Sequence, residues 1–196
     1  MASKRIGVYI CHCGVNIAQN VRIDDLRAFA EGLPGVRVAQ NYMYMCSEPG
    51  QEMIRKDITE NKLNRIVVVA CSPRMHEPTF RAAVAEAGLN PFLMEMANIR
   101  EHCSWVHSKQ KEEATQKAKD IVRMSVARTI GLEPLEEFEL PVNKTTLIVG
   151  GGVAGMTSAL GLANQGFEVH LVEKNKELGG MARRIQSTLD GLDVQA

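Results

Sequence analysis

The sequence lacks an excess of charge of either sign. Its 23 lysine and arginine residues balance its 23 aspartate and glutamate residues, so the formal net charge is +0 at pH 7. Proteins that bind nucleic acid or an anionic membrane through electrostatic attraction carry a surplus of positive charge. The composition gives no such surplus, and we predict no nucleic-acid partner.

Long hydrophobic runs are also missing. No stretch of about eighteen consecutive apolar residues, the length that favours a transmembrane helix, occurs in the sequence. The first residues, MASKR, lead into an apolar strand without the pattern of a cleavable signal peptide. We therefore predict a cytoplasmic protein with no membrane insertion.

The cysteines do not form an even set. There are five of them, and without a secretion signal a disulfide framework explains them poorly. Metal binding or redox chemistry is the better hypothesis. The five are Cys11, Cys13, Cys46, Cys71 and Cys103.

Residues 1–135 alternate between apolar strands and helices, which predicts a Rossmann-like α/β domain with a parallel sheet. We predict strands at 5–11, 36–43, 65–71 and 91–96. Helices are expected near 24–31, 50–61, 80–87 and 108–130, and 99–105 is expected to be a loop or short helix. Residues 136–142 are acidic and aperiodic and are interpreted as a linker.

The predicted strands end at or near cysteines, and the carboxyl ends of parallel strands share one edge of a sheet. Thiolates gathered there could hold a [4Fe–4S] cluster or a structural zinc ion. They could also be reduced thiols that only pack in the core. We favour the cluster, with four of the five cysteines as ligands. Cys11 and Cys13 are two residues apart, so one of them is a candidate for the thiol left over.

Residues 143–196 carry a dinucleotide-binding fingerprint. An apolar strand at 145–149 leads into GGGVAG at 150–155, followed by a helix, a second strand and an acidic residue, Glu173. The glycines permit a tight turn and a close approach of the backbone to a pyrophosphate, which the helix N-terminus would attract. The predicted cofactor-binding residues are Gly150, Gly152, Val153, Ala154, Gly155, Glu173, Lys174 and Gly180.

Glu173 is placed to bind a ribose 2′-hydroxyl and would repel a 2′-phosphate, which favours FAD or NAD over NADP. The turn at 178–180 resembles the extension of two-dinucleotide-binding flavoproteins and favours FAD. A full FAD-binding domain needs more strands than about fifty residues supply. We therefore expect this domain to be truncated, and the fragment alone to be inactive and to bind FAD weakly or not at all.

Taken together, these motifs resemble the heterodisulfide reductase A-subunit family over essentially the whole chain. The resemblance rests on CHCGVNI at 11–17, YMCSEPGQ at 44–51, ACSPRMHE at 70–77, NIREHCSWVH at 98–107 and the glycine motif at 150–155.

The resemblance implies an oxidoreductase subunit with a [4Fe–4S] cluster held by an uncommon cysteine pattern, followed by a thioredoxin-reductase-like FAD domain. It also implies ferredoxin-type inserts, partner subunits, electron-donor or ferredoxin proteins, and flavin-based electron bifurcation in the longer protein. The alternative is a structural or docking module with zinc or free thiols. A homodimer is a further possibility, because a partial Rossmann unit leaves a strand edge uncovered.

Overall fold

The computed structural model describes residues 3–194, which form two compact units divided after Glu137. Each unit is an α/β structure with a parallel sheet, which confirms the predicted fold class. Within the described residues, no helix is both long enough and apolar enough to cross a membrane.

The first unit contains four strands and four α-helices in alternating order. These elements are β1 (Ile6–Cys11), α1 (Ile23–Glu31), β2 (Val36–Tyr42), α2 (Glu48–Glu60), β3 (Arg65–Ala70), α3 (Pro73–Glu86), β4 (Met94–Asn98) and α4 (Lys111–Ile130). A 3₁₀ turn, Pro91–Leu93, precedes β4, and a π-helical turn, Arg100–Ser104, follows it.

The sheet has the order β2-β1-β3-β4, and every neighbouring pair is parallel. All residues of β1 and β3 are buried, because helices cover both faces of the sheet. Alternate residues of β1 pack on opposite faces: Val8 and Ile10 contact the core under α1 and α4, whereas Tyr9 and Cys11 contact the core under α2 and α3. The sheet thus separates two cores, which matters for the cysteines.

Two element boundaries differ from the prediction. Helix α3 begins at Pro73 rather than near residue 80, because the Ser72 hydroxyl accepts a hydrogen bond from the Arg74 N–H (3.4 Å) and caps the first turn. Pro78 lies inside this helix, where proline ordinarily argues against helix. The predicted strand at 91–96 begins later, because residues 91–93 form the 3₁₀ turn.

The second unit is a single βαβ motif followed by a short turn. It consists of β5 (Thr146–Val149), α5 (Val153–Ala163), β6 (Val169–Val172) and a 3₁₀ turn, Gly180–Arg184. Strands β5 and β6 pair in parallel, with Thr146 opposite Val169. Helix α5 has no buried residue, and apolar side chains of both strands are exposed. A two-stranded sheet under one helix offers too little surface to cover them.

Hydrogen bonds of the Arg65 side chain connect the start of β3 to the end of α4. Its guanidinium donates to the backbone carbonyls of Thr129 (3.2 Å), Leu132 (2.6 Å) and Asn64 (2.6 Å), and the residue is only 7% exposed. Burial lowers its pKa, yet an arginine stays charged. The side chain thus supplies donors to a carbonyl in the last turn of α4 and to one just beyond its end.

An Arg65→Ala variant is expected to lower the free energy of unfolding by about 2 to 3 kcal/mol, because buried carbonyls lose a charged donor. Urea unfolding, followed by circular dichroism, measures the change. Arg27→Ala is the control: Arg27 pairs with Glu31 on the exposed surface of α1, and its removal should cost less than about 0.5 kcal/mol. Equal losses in the two variants would contradict the helix-fastening role.

Candidate cofactor sites

The cysteine site lies at the carboxyl edge of the first sheet. Cys11 is the last residue of β1, and Cys13 lies in the turn that follows it. Cys46 lies between β2 and α2, and Cys71 comes directly after β3. These strands are neighbours and parallel, so the topology brings the four residues to one edge.

Backbone and side-chain N–H groups point at the sulfur atoms of this site. The N–H groups of Cys13 and Met45 donate to Cys11 Sγ at 3.2 and 3.4 Å. The guanidinium of Arg100 donates to Cys13 Sγ at 3.1 Å. Donors of this kind stabilise a thiolate, which is the form that binds metal. These donors offset part of the cost of burying a negatively charged sulfur.

Burial is the main influence on the ionisation of these thiols. The pKa of Cys11 is raised to about 11, chiefly by burial and further by the Cys13 and Cys46 thiols, although the N–H groups of Met45 and Cys13 act in the opposite direction. Burial likewise raises the pKa of Cys71, which Arg100 opposes. Cys11, Cys13, Cys46 and Cys71, which share this edge of the sheet, are called the cysteine site below.

The backbone at Cys13 is unusual. Cys13 has φ of 50°, and Gly14, which follows it, has φ of 61°. A residue other than glycine rarely adopts this left-handed conformation, and such residues concentrate at functional sites. The backbone conformation that positions the Cys13 sulfur is therefore itself unfavourable in free energy.

Cys103 lies apart from this group. It is 0% exposed, belongs to the core under α1 and α4, and donates from Sγ to the carbonyl oxygen of Ala114 at 3.0 Å. Burial raises its pKa and Lys117 lowers it, while no other cysteine contributes. Cys11, in contrast, packs in the core on the other face of the sheet. Four of the five predicted cysteines come together, and Cys103 does not.

Thiolates at one sheet edge can bind either a single zinc ion or a [4Fe–4S] cluster. Within residues 3–194, no three cysteine, histidine, aspartate or glutamate side chains are placed to hold one ion. In a zinc site every sulfur lies about 2.3 Å from the same atom, whereas in a [4Fe–4S] cluster the cysteines bind at separate corners.

The glycine loop of the second unit has the geometry that its sequence predicts. Gly150 follows β5 with φ of 106°, and its N–H donates to the Val172 carbonyl at 2.7 Å. A Cβ on Gly155 would collide with the carbonyl oxygen of Gly150, whereas a Cβ on Gly152 would meet nothing within 4 Å. Gly155 thus allows helix and loop to touch, and Gly152 faces open space.

Helix α5 begins at Val153, inside the glycine motif rather than after it, with Gly152 as its N-cap. Val153 and Ala154 therefore form the first turn, whose N–H groups have no partner within the helix. These donors and the helix dipole make this position suitable for a pyrophosphate.

Glu173 follows β6 and binds the glycine loop. One carboxylate oxygen accepts the N–H of Gly151 at 2.7 Å, and the other accepts the backbone and side-chain N–H groups of Asn175, both at 2.8 Å. The bonds from Asn175 and Gly151 hold its pKa below the ordinary value. The carboxylate is therefore ionised and fixed beside the loop, with lone pairs left for a hydroxyl donor.

The remaining predicted positions lie on the same side of the motif. Gly180 has φ of 52°, and a Cβ on it would lie 3.1 Å from the Cα of Gly152, so this turn packs against the loop. Lys174 is exposed. A surface cavity next to the turn is lined by Asn175, Glu177, Gly180, Arg183 and Arg184. The two arginines are absent from the predicted site, although their position three and four residues after Gly180 is a usable signal.

Comparison with known proteins identifies the second unit independently. Residues 148–195 match the family described as NAD(P)-binding Rossmann-like domain. This match agrees with a dinucleotide site at the glycine loop.

Relatives match nearly the whole chain. One of the iron-sulfur A subunits of CoB–CoM heterodisulfide reductase from Methanopyrus kandleri is 56% identical over 94% of this chain and 28% of its own length. The A subunit of the H2:CoB-CoM heterodisulfide,ferredoxin reductase of Methanothermobacter marburgensis is 53% identical over 98% of this chain and 29% of its own.

A third relative is the A subunit of the ferredoxin/F420H2-dependent CoB-CoM heterodisulfide reductase of Methanosarcina acetivorans, which is 53% identical over 90% of this chain. The chain spans only 22% of that protein and 28 to 29% of the other two. The resemblance predicted from the motifs is confirmed, and this chain is related over nearly its whole length to the A subunits of heterodisulfide reductase.

Proposed function

We propose that this chain is part of an iron–sulfur flavoprotein subunit of a heterodisulfide reductase-type oxidoreductase. In this proposal the first unit holds a [4Fe–4S] cluster, the second unit binds the ADP half of FAD, and the longer protein transfers electrons between them. The observation that carries the proposal is the position of four cysteines at one edge of the sheet, with N–H donors to the sulfurs of Cys11 and Cys13.

The proposed cluster ligands are Cys11, Cys13, Cys46 and Cys71. Their thiol chemistry, common sheet edge and mutual electrostatic influence support this set. Cys103 is proposed to be a packing residue, because it is completely buried against α4, where its S–H donates to the carbonyl of Ala114. This choice differs from the sequence interpretation, in which Cys11 or Cys13 was the candidate for the thiol left over.

The proposed FAD site uses the loop from Gly150 to Gly155 and the carboxylate of Glu173. The N–H groups of Val153 and Ala154 would hold the pyrophosphate, and Glu173 would accept a ribose hydroxyl. The negative charge of Glu173 opposes a 2′-phosphate, which supports FAD or NAD over NADP. Lys174 and Gly180 flank this position. When bound, FAD can pass electrons singly to a cluster.

The domain organisation proposed from the sequence suits this assignment: a cluster domain at 1–135, a linker at 136–142 and the start of the FAD domain at 143–196. The division after Glu137 supports it. A cytoplasmic location and a possible homodimer stay predictions.

The proposed partners are the other components of a heterodisulfide reductase-type complex and electron carriers such as ferredoxin. The names of the relatives mention H2, ferredoxin and F420H2. Exposed apolar side chains next to the cysteine loops support a protein contact there, since clustered exposed apolar surface marks interaction sites. They are Val15, Met43, Tyr44 and Met75. For the longer protein we propose flavin-based bifurcation between a ferredoxin and a disulfide.

Iron and acid-labile sulfide measurements test this proposal. After reconstitution without oxygen, about four irons and four sulfides per chain are expected, with a broad visible absorbance band that bleaches on reduction. One zinc ion per chain, or no metal at all, would instead favour a structural or docking module. Purification in air is the matched control, because oxygen degrades exposed clusters and should lower the iron content.

A further inference from the structure

Contacts with Cys13, Glu101 and Trp105 hold the Arg100 side chain beside the cysteine site. Its Nη1 donates to Cys13 Sγ at 3.1 Å, and its Nε and Nη2 donate to one carboxylate oxygen of Glu101 at 3.1 and 2.8 Å. The guanidinium also lies over the ring of Trp105, 5.0 Å from the centroid. The side chain is 22% exposed, so solvent screens it only in part.

Hydrogen bonds of Glu101 connect the Arg100–Glu101 pair to the segments that end β3 and β4. Glu101 accepts the backbone N–H of Ser72, next to Cys71, at 3.0 Å, and the Glu101 N–H donates to the side chain of Asn98, the last residue of β4, at 3.1 Å. Burial raises the pKa of Glu101, but the hydrogen bond and charge of Arg100, together with hydrogen bonds from backbone N–H groups, outweigh burial and hold the pKa below the ordinary value. The carboxylate stays charged and orients the guanidinium towards Cys13.

The charge on Arg100 reaches two thiols. Arg100 touches the sulfur of Cys13 and lies close enough to Cys71 to favour its thiolate form. A guanidinium keeps its charge at any physiological pH. Hydrogen bonds to ligand sulfurs and nearby net charge are two of the factors that set the potential of an iron–sulfur cluster.

We propose that Arg100 is a positioning residue of the cysteine site, which orients the Cys13 sulfur and raises the reduction potential of the cluster. The inference rests on the proposed function. Reduction adds one electron to the cluster, with no bond formed or broken and no proton moved. The added negative charge lies beside the guanidinium, so the reduced form is the one that Arg100 stabilises more.

The test is a redox titration of the reconstituted protein, followed by electron paramagnetic resonance. Arg100→Gln is expected to bind iron and to make reduction about tenfold less favourable, which is a shift of about 59 mV to more negative potential for one electron. Arg100→Lys, which keeps a charge without the planar fork, should recover part of the shift.

Arg81→Gln is the matched control. Arg81 pairs with Glu77, lies over Phe92 at 4.9 Å from the ring centroid, and is 28% exposed, yet it makes no contact with a cysteine among the described residues. Its loss should leave the potential unchanged. An unchanged potential in Arg100→Gln, or an equal shift in both variants, would overturn the role of Arg100.

A second measurement does not depend on iron. In protein without a cluster, the rate at which iodoacetamide modifies Cys13 should differ several-fold between Arg100→Gln and the parent chain, because the substitution removes the guanidinium that contacts the sulfur at 3.1 Å. Mass spectrometry resolves Cys13 from Cys46, whose rate should not change. A parent chain that binds no iron refutes the proposed cluster, and the alkylation rates then still decide whether Arg100 acts on Cys13.

Discussion

Serine in place of Cys71 is expected to remove the cluster from the reconstituted protein, whereas serine in place of Cys103 is expected to leave about four irons per chain. Cys71 lies at the end of a central strand and interacts with Cys13 and Arg100. Cys103 lies in the core on the other face of the sheet and donates to Ala114. Removal of a ligand and removal of a packing residue therefore have different consequences.

Iron content, sulfide content and the visible spectrum should be measured for serine variants at all five positions. Circular dichroism identifies variants that do not fold. Cys103→Ala provides a second variant, because a buried hydroxyl in Cys103→Ser could itself perturb the core. If Cys103→Ala loses its iron while remaining folded, and one of the other four variants keeps it, the proposed ligand set is wrong.

Alanine in place of Gly155 is expected to disrupt the second unit. The new Cβ would overlap the backbone oxygen of Gly150, which has no side-chain rotamer with which to move away. Either α5 or the loop must shift, at a cost of about 3 kcal/mol or more. Such a cost corresponds to roughly hundredfold faster hydrogen exchange at amides that close the first turn of α5. The Met156 N–H, which donates to the Gly152 carbonyl at 2.9 Å, is the amide to follow.

Gly161→Ala is the control in the same helix. A Cβ at Gly161 meets no atom within 4 Å, and alanine is the better helix former by about 1 kcal/mol. This variant should slow exchange in α5 while Gly155→Ala accelerates it. If both substitutions slowed exchange, close contact between loop and helix would not explain why position 155 is glycine.

Much of the fold follows from local sequence. The run RIVVVA at 65–70 is apolar almost throughout because both faces of the sheet are covered, and it is β3. The glycine loop also follows from local sequence. Gly150 has a positive φ, and Gly155 leaves room for the carbonyl oxygen of Gly150. Helix α3 is an error of the prediction: its start was placed near residue 80, but the Ser72 cap and Pro73 at the first position begin the helix earlier.

The positions of the cysteine side chains could be predicted from the sequence only in part. A position at the end of a strand predicts the edge of the sheet but not the face on which the side chain lies. Cys103 lies within the π-helical turn after β4 and packs against α4, and a pattern of strand periodicity cannot anticipate this. Arg100 gives no sequence signal either, because its contact with Cys13 spans 87 residues.

The strand order also determines when, during synthesis of the chain, the four proposed ligands can come together. The proposed ligands come from chain positions 11 to 71, and β1 lies between β2 and β3, so the edge does not exist until β3 has emerged and paired. A chain emerging from the ribosome presents Cys11 and Cys13 first, with neither their sulfur partners nor Arg100 in place. The proposed cluster would therefore assemble after the sheet has formed, at an edge that already holds the four cysteines.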